Sequence, residues 1–142
     1  MRWSSKFETG QGDVDEDHKE LFRRMNELFE AAKAGAAKQQ LLSLLQFLEV
    51  YTRTHFTREE KYTGTHNEPN CKHNQVQHLR FLCNIADIRK LVEAEGATPV
   101  NIVAMNRLIG EWFANHVLNT DRQCFLNHIN KDDHRCHGCI SP

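Results

Sequence analysis

The stretch His55-Phe56-Thr57-Arg58-Glu59 sets an imidazole and a carboxylate four residues apart, in a run with the periodicity of an amphipathic helix. Residues four apart on a helix stack on one face. Upstream on that face stand Leu41, Leu44, Leu45, Leu48, Tyr51 and Thr52, so His55 and Glu59 extend an apolar stripe and are expected to point at the core. A buried carboxylate costs several kcal/mol unless it is paired, protonated or bound to a metal. For an isolated pair the simpler reading is one core histidine hydrogen-bonded to one carboxylate. The rest of the chain decides between that reading and a metal site.

The chain has 142 residues, the size of one domain with a substantial core. Its 18 Lys and Arg stand against 19 Asp and Glu, interspersed along the sequence, for a formal net charge of -1. That balance points to neither nucleic acid nor an anionic membrane as partner. The N-terminal residues Met1-Arg2-Trp3-Ser4-Ser5-Lys6 lead into Gly and Asp rather than an apolar run, and no stretch has the length and apolarity of a membrane span. The expectation is a soluble cytoplasmic protein; the sequence leaves the oligomeric state open, with a monomer favoured. Five cysteines (Cys71, Cys83, Cys124, Cys136, Cys139) are an odd number, and two fall within expected helices, which argues against a secreted disulfide framework.

Working outward, residues 1 to 13 read as an irregular arm whose Trp3 and Phe7 pack back on the body. The first helix is expected from about Val14 to Ala34, with Asp13 or Asp15 as N-cap and Gly35 as its stop. Its apolar face is His18, Leu21, Phe22, Met25, Leu28, Phe29 and Ala32. The second helix runs from Lys38 to Thr63 and carries His55 and Glu59 near its finish. A polar loop with His66 and Pro69 leads to the third, from about Asn70 to Glu95, ended by Gly96. That helix has a stripe of Cys71, Asn74, His78, Phe81, Leu82, Ile85, Ile88 and Val92. Thr98-Pro99 opens the fourth helix, a cap followed by proline at the first helical position. Its stripe is Ile102, Met105, Ile109, Trp112, Phe113, His116, Thr120 and Cys124, with Asp121 at the margin.

Four long helices joined by short loops predict an all-α, up-down-up-down four-helix bundle. Alternating directions bring the start of helix one, the finish of two, the start of three and the finish of four to one end. His18, His55 with Glu59, Asn74 with His78, and His116 with Asp121 all lie near those termini. At 1.5 Å of rise per residue they share a slab roughly 6 to 15 Å deep. Four buried histidines in one layer favour a metal over separate core pairs. Four imidazoles and two carboxylates are nitrogen-rich, thiol-free and too many for one tetrahedral zinc; they suit two first-row metals bridged by carboxylates. Glu59 and Asp121 are the natural bridges and His18, His55, His78 and His116 the terminal ligands. The Glu-x-x-His pattern of carboxylate-rich di-iron bundles is absent. A histidine-rich set is suited to holding ferrous iron for reversible binding of a small ligand.

The residues that carry a family resemblance are Trp3, Asp15-Glu16-Asp17-His18-Lys19-Glu20-Leu21-Phe22, His55-Phe56-Thr57-Arg58-Glu59-Glu60, His78-Leu79-Arg80-Phe81, and Trp112-Phe113-Ala114-Asn115-His116 followed by Asp121. Over about residues 1 to 126 the chain resembles a hemerythrin-like domain of the bacteriohemerythrin kind. The resemblance implies a centre of two non-haem iron ions that binds dioxygen, or another small diatomic ligand, for storage, delivery or sensing. By the family pattern His18 and His55 would hold the oxygen-binding iron and His78 and His116 the other, with Glu59 and Asp121 bridging. One position departs: the family's His-x-x-x-His on the third helix here begins with Asn74. The Asn74 amide oxygen or a water takes that place, or His73 swings in through a bulge, or that iron is held weakly. His73 is about 100 degrees round the helix from Asn74, which disfavours the bulge. A more open centre keeps a second function class in view, a di-iron peroxidase or oxidase, or a nitric oxide scavenger, on the same scaffold.

Residues 127 to 142 read as a Cys/His-rich extension. Together with Cys124 and His128, the pair Cys136-x-x-Cys139 forms a set that could take a structural zinc or a redox disulfide, against the plainer reading of a polar extension. The Cys-x-x-Cys-His order of haem attachment is absent. His66 and His73 read as surface residues.

Overall fold

The computed structural model describes residues 2–63 and 69–125, with side chains for 2–62 and 73–125. Helix α1 spans Gly12–Lys33, α2 Lys38–Thr63 and α3 Pro69–Glu95. The fourth rod, α4 (residues 99–125), is one continuous helix of changing pitch: α-helical over Pro99–Met105, π over Asn106–Glu111, α over Trp112–His116 and π over Val117–Asp121. α1 packs on α2, α2 on α3, and α4 closes the ring against α3 and α1. The molecule is therefore the all-α four-helix bundle expected from the apolar periods.

Helix ends follow the local chemistry. Gly35 (φ 74°) takes the left-handed conformation that ends α1, with Gly35 N–H donating to Ala32 O and Ala36 N–H to Ala31 O, the paired bonds of a Schellman motif. Gly96 (φ 72°) ends α3 with a single bond to Val92 O. Thr98 caps α4 by accepting from Asn101 N–H, with Pro99 next. Asn101 is buried and donates from Nδ2 to Leu91 O and Gly96 O, which ties the finish of α3 to the start of α4.

The start of α1 differs from expectation. Its N-cap is Gln11, without a side-chain capping bond, rather than Asp13 or Asp15. Asp15 lies inside the first turn and accepts from the backbone N–H and the hydroxyl of Thr9, both at 2.8 Å. That buried pair fastens the arm, whose one short 3-10 turn is Ser5–Phe7. The arm lays Trp3 and Phe7 over Phe22 and His18, with ring centroids 5.0 to 6.3 Å apart.

The α1 face expected to be apolar is buried throughout. Below the histidines lies a floor of Phe22, Phe81 and Phe113, and beneath it Met25, Leu28, Leu45, Leu48, Ile85, Ile88, Met105 and Ile109 fill the bundle. Among the described residues no helix is long and apolar enough to cross a membrane.

Candidate metal centre

Each helix delivers its polar residues to the same end of the bundle by the same rule: the apolar stripe continues for one more turn with an imidazole or a carboxylate in place of a hydrocarbon. His18, His55, Glu59, Asn74, His78, His116 and Asp121 are all at most 3% exposed. The helix-four carboxylate needs more than a regular helix provides. Asp121 is five residues past His116, off its face at 3.6 residues per turn. The π segment Val117–Asp121 widens that turn and brings His116 Nε2 to 3.0 Å from Asp121 Oδ1.

Two groups of ligand atoms result, each within 4.8 Å of one another: His18, His55, Glu59 and Asp121 in one, and Glu59, His78, His116 and Asp121 in the other. The shared carboxylates divide their oxygens between the groups. Glu59 Oε1 is 2.9 Å from both His18 Nε2 and His55 Nε2, while its Oε2 is 3.1 Å from His78 Nε2. Asp121 Oδ2 faces His18 Nε2 at 3.4 Å, and Oδ1 faces His116. Ring nitrogens His55 Nε2, His78 Nε2 and His116 Nε2 are buried with no aligned hydrogen-bond partner despite these short separations. Donors about 2.1 Å from a common cation, at right angles to each other, stand roughly 3 Å apart. The side chains converge on a point between them, which is the arrangement of a coordination sphere and a poor one for hydrogen bonding. This donor set fits first-row metal ions.

The charges agree. Burial by itself would lower the His55 imidazole, but the close Glu59 carboxylate and the hydrogen bond to Asp17 outweigh it and push the group up to about 9. His18 and His78 are raised in the same way: burial opposes, and contacts with Asp121 and Glu59 prevail. Burial works to raise Glu59, yet the His55 charge, the hydrogen bond from His18 and the close imidazoles of His55 and His78 hold it well below the usual carboxylate range. Asp121, raised by burial and by Glu59, is brought down to about 2 by His116 and His18. Cationic charge is what this pocket is built to hold, from protons or from metal.

Comparison with known proteins agrees with the geometry. Residues 9–125 match the Hemerythrin HHE cation binding domain. The chain belongs to the hemerythrin family. It is 27% identical over 123 residues to a bacteriohemerythrin of Methylococcus capsulatus, covering 86% of this chain and 92% of that one. A bacteriohemerythrin of Clostridium acetobutylicum is 23% identical over 124 residues (85% and 95% covered), and a myohemerythrin of Theromyzon tessulatum 24% over 120 (84% and 87%). No solved structure matches.

In this hemerythrin-family chain six of the inner positions read from sequence come together, and the finer placements separate. Asn74 is buried one turn before His78, and its Oδ1 has no hydrogen-bond partner. His73 does not swing inward: it is exposed, and its Nε2 accepts from Gln77 Nε2 at 2.6 Å, since neighbouring positions on a regular helix point 100 degrees apart. Of the tail set, Cys124 is buried in α4; His128, Cys136 and Cys139 lie outside the described residues, as does His66.

The residues missed from sequence are those behind the histidines. His55 Nδ1 donates to Asp17 Oδ2 (3.1 Å), His78 Nδ1 to Glu60 Oε1 (3.1 Å) and His116 Nδ1 to Gln77 Oε1 (2.6 Å). Each partner precedes or follows an inner residue of its own helix, but reaches the histidine of the next helix round the bundle. That adjacency is the signal sequence reading could have used. Asp17 also takes Arg58 Nη1 at 2.7 Å and the Tyr51 hydroxyl at 3.2 Å. Rings fix the imidazole planes further: Phe56 stacks on His78 at 3.7 Å and Trp112 on His116 at 4.9 Å. Partners of this kind orient a ligating imidazole and raise its basicity, and losing one typically costs 10–100-fold in metal affinity. Asp17→Asn is therefore expected to weaken metal binding by roughly that factor while the fold is kept, measured by competition with a chelator. Unchanged affinity would remove Asp17 from the metal site.

Proposed function

We propose that the chain holds two iron ions and binds dioxygen at them, with His18 and His55 on one ion, His78 and His116 on the other, and Glu59 and Asp121 bridging. The observation that carries this reading is the division of the two shared carboxylates, one oxygen toward each histidine pair. Membership of the hemerythrin family and the kinship to bacteriohemerythrins and a myohemerythrin support it. Ferrous iron held by these residues would supply the electrons for reversible uptake of dioxygen. The chain's own residues set the conditions. Asp17, Glu60 and Gln77 keep Nε2 of three imidazoles facing inward. Trp3, Phe7, Phe22 and Phe113 wall the His18 side with hydrocarbon, which excludes water and favours a small apolar guest.

The test is anaerobic loading with ferrous iron, metal analysis, exposure to air and then removal of oxygen. The expected result is two irons per chain and a charge-transfer band that forms in air and disappears on deoxygenation. Rapid irreversible oxidation accompanied by turnover of added peroxide would instead assign the chain to peroxidase or oxidase chemistry. An iron content below two would overturn the paired-ion reading.

A further inference from the structure

The two halves of the centre sit in different surroundings. Around His18 the walls are aromatic rings. Around His116 they are amides and hydroxyls: Gln77, Asn115, Asn119 and Thr120 join Trp112 and His116 to line a cavity of about 230 Å³ between α3 and α4. It adjoins a second, of about 180 Å³, where His73 and Gln123 meet Asn119 and Thr120. A polar groove thus runs from the surface at His73 to the edge of His116.

Asn74 stands on the inner face of α3, next in the chain to His73 of this groove and one turn before His78. It is 1% exposed, and its Oδ1 accepts no hydrogen bond. Burying an amide oxygen without a donor leaves its desolvation uncompensated, so the position calls for a cation or a hydrogen-bond donor beside it. An asparagine side chain is also smaller, and a weaker metal donor, than the imidazole that a His-x-x-x-His pair would put there.

We infer that the His78/His116 half takes a small polar ligand of its own, a protic molecule such as hydrogen peroxide or a compact anion, entering along the α3/α4 groove and seated against Asn74. This rests on the di-iron reading above. It makes the centre two-sided, with an apolar position beside His18 and His55 and a polar one beside His78 and His116.

Azide titration of the diferric protein, followed optically and by calorimetry with iron measured on the same samples, tests the assignment. The parent is expected to bind two azides per iron pair and Asn74→His one, its third imidazole having filled the place. Asn119→Trp, an exposed position at which a large ring blocks the groove, is expected to keep the parent's iron content and both azides but to slow only the second binding phase. Two irons with one azide in the parent, two azides in Asn74→His, or identical kinetics in Asn119→Trp would overturn the inference and leave the di-iron reading standing. Fewer than two irons in the parent would overturn both.

Discussion

Glu59→Ala is expected to lose at least one of the two irons proposed for the parent chain, and to lose both under chelator challenge, whereas Glu16→Ala on the exposed face of α1 keeps the parent's content. The reason is in the contacts. Glu59 lies within 3.1 Å of three of the four imidazoles, through Oε1 on one side and Oε2 on the other. Its removal takes an oxygen from each half and leaves Asp121 as the one carboxylate between the histidines among the described residues. The pocket also loses the anion that lets His18, His55 and His78 carry charge while buried. An uncompensated buried charge is far more costly than an absent pair, so the metal-free variant should hold these imidazoles neutral. Glu59→Gln separates the effects: it keeps the volume and one oxygen but not the charge, and should retain more iron than alanine and less than the parent. Metal analysis after anaerobic loading and desalting reads all of these variants, and a full pair of irons in Glu59→Ala would count against a bridging role.

How much of this was legible in the sequence follows from which periods a sequence can express. Stripes at three-and-four spacing placed His18, His55, Glu59 and His78 on the inner face, and alternating helix directions placed them at one end. Gly35, Gly96 and Thr98-Pro99 marked their helix ends because each has a local backbone or capping reason to be there. Asp121 was readable only as marginal, since its place depends on a π turn, and a pattern scored at 3.6 residues per turn cannot register a shift to five. Asp17, Glu60 and Gln77 were hidden for another reason. Their place beside an inner residue was legible, but their partners are on the next helix, and the spacing within one segment does not say which histidine a neighbour faces. The Thr9–Asp15 pair disguised the start of α1 similarly, since Asp15 serves the arm instead of capping the helix.

The metal-free protein is expected to be most stable between about pH 4.5 and 6.5, and to lose stability toward pH 9, while iron affinity moves the opposite way. His55 has its folded value raised from 6.5 to about 9. Its contribution is therefore complete below 6.5 and disappears as pH climbs through 9. From the conversion of 1.36 kcal/mol per pH unit it is on the order of 3 kcal/mol. His18 and His78 are raised as well and act in the same direction. Glu59 and Asp121 are lowered from 4.5 and 3.8, so what they contribute is present above those values and is lost on acidification. Iron takes the place of the imidazole protons, so loading near pH 7 should release protons into a weakly buffered solution and tighten as pH rises. Thermal melts of iron-free and iron-loaded protein from pH 5 to 9 check this. The gap between the two curves should widen with pH, because the same protons that stabilise the empty pocket compete with the metal for Nε2. Parallel curves would mean that the imidazoles are not what the iron displaces protons from, and would remove the physical link between the buried ion cluster and the metal centre.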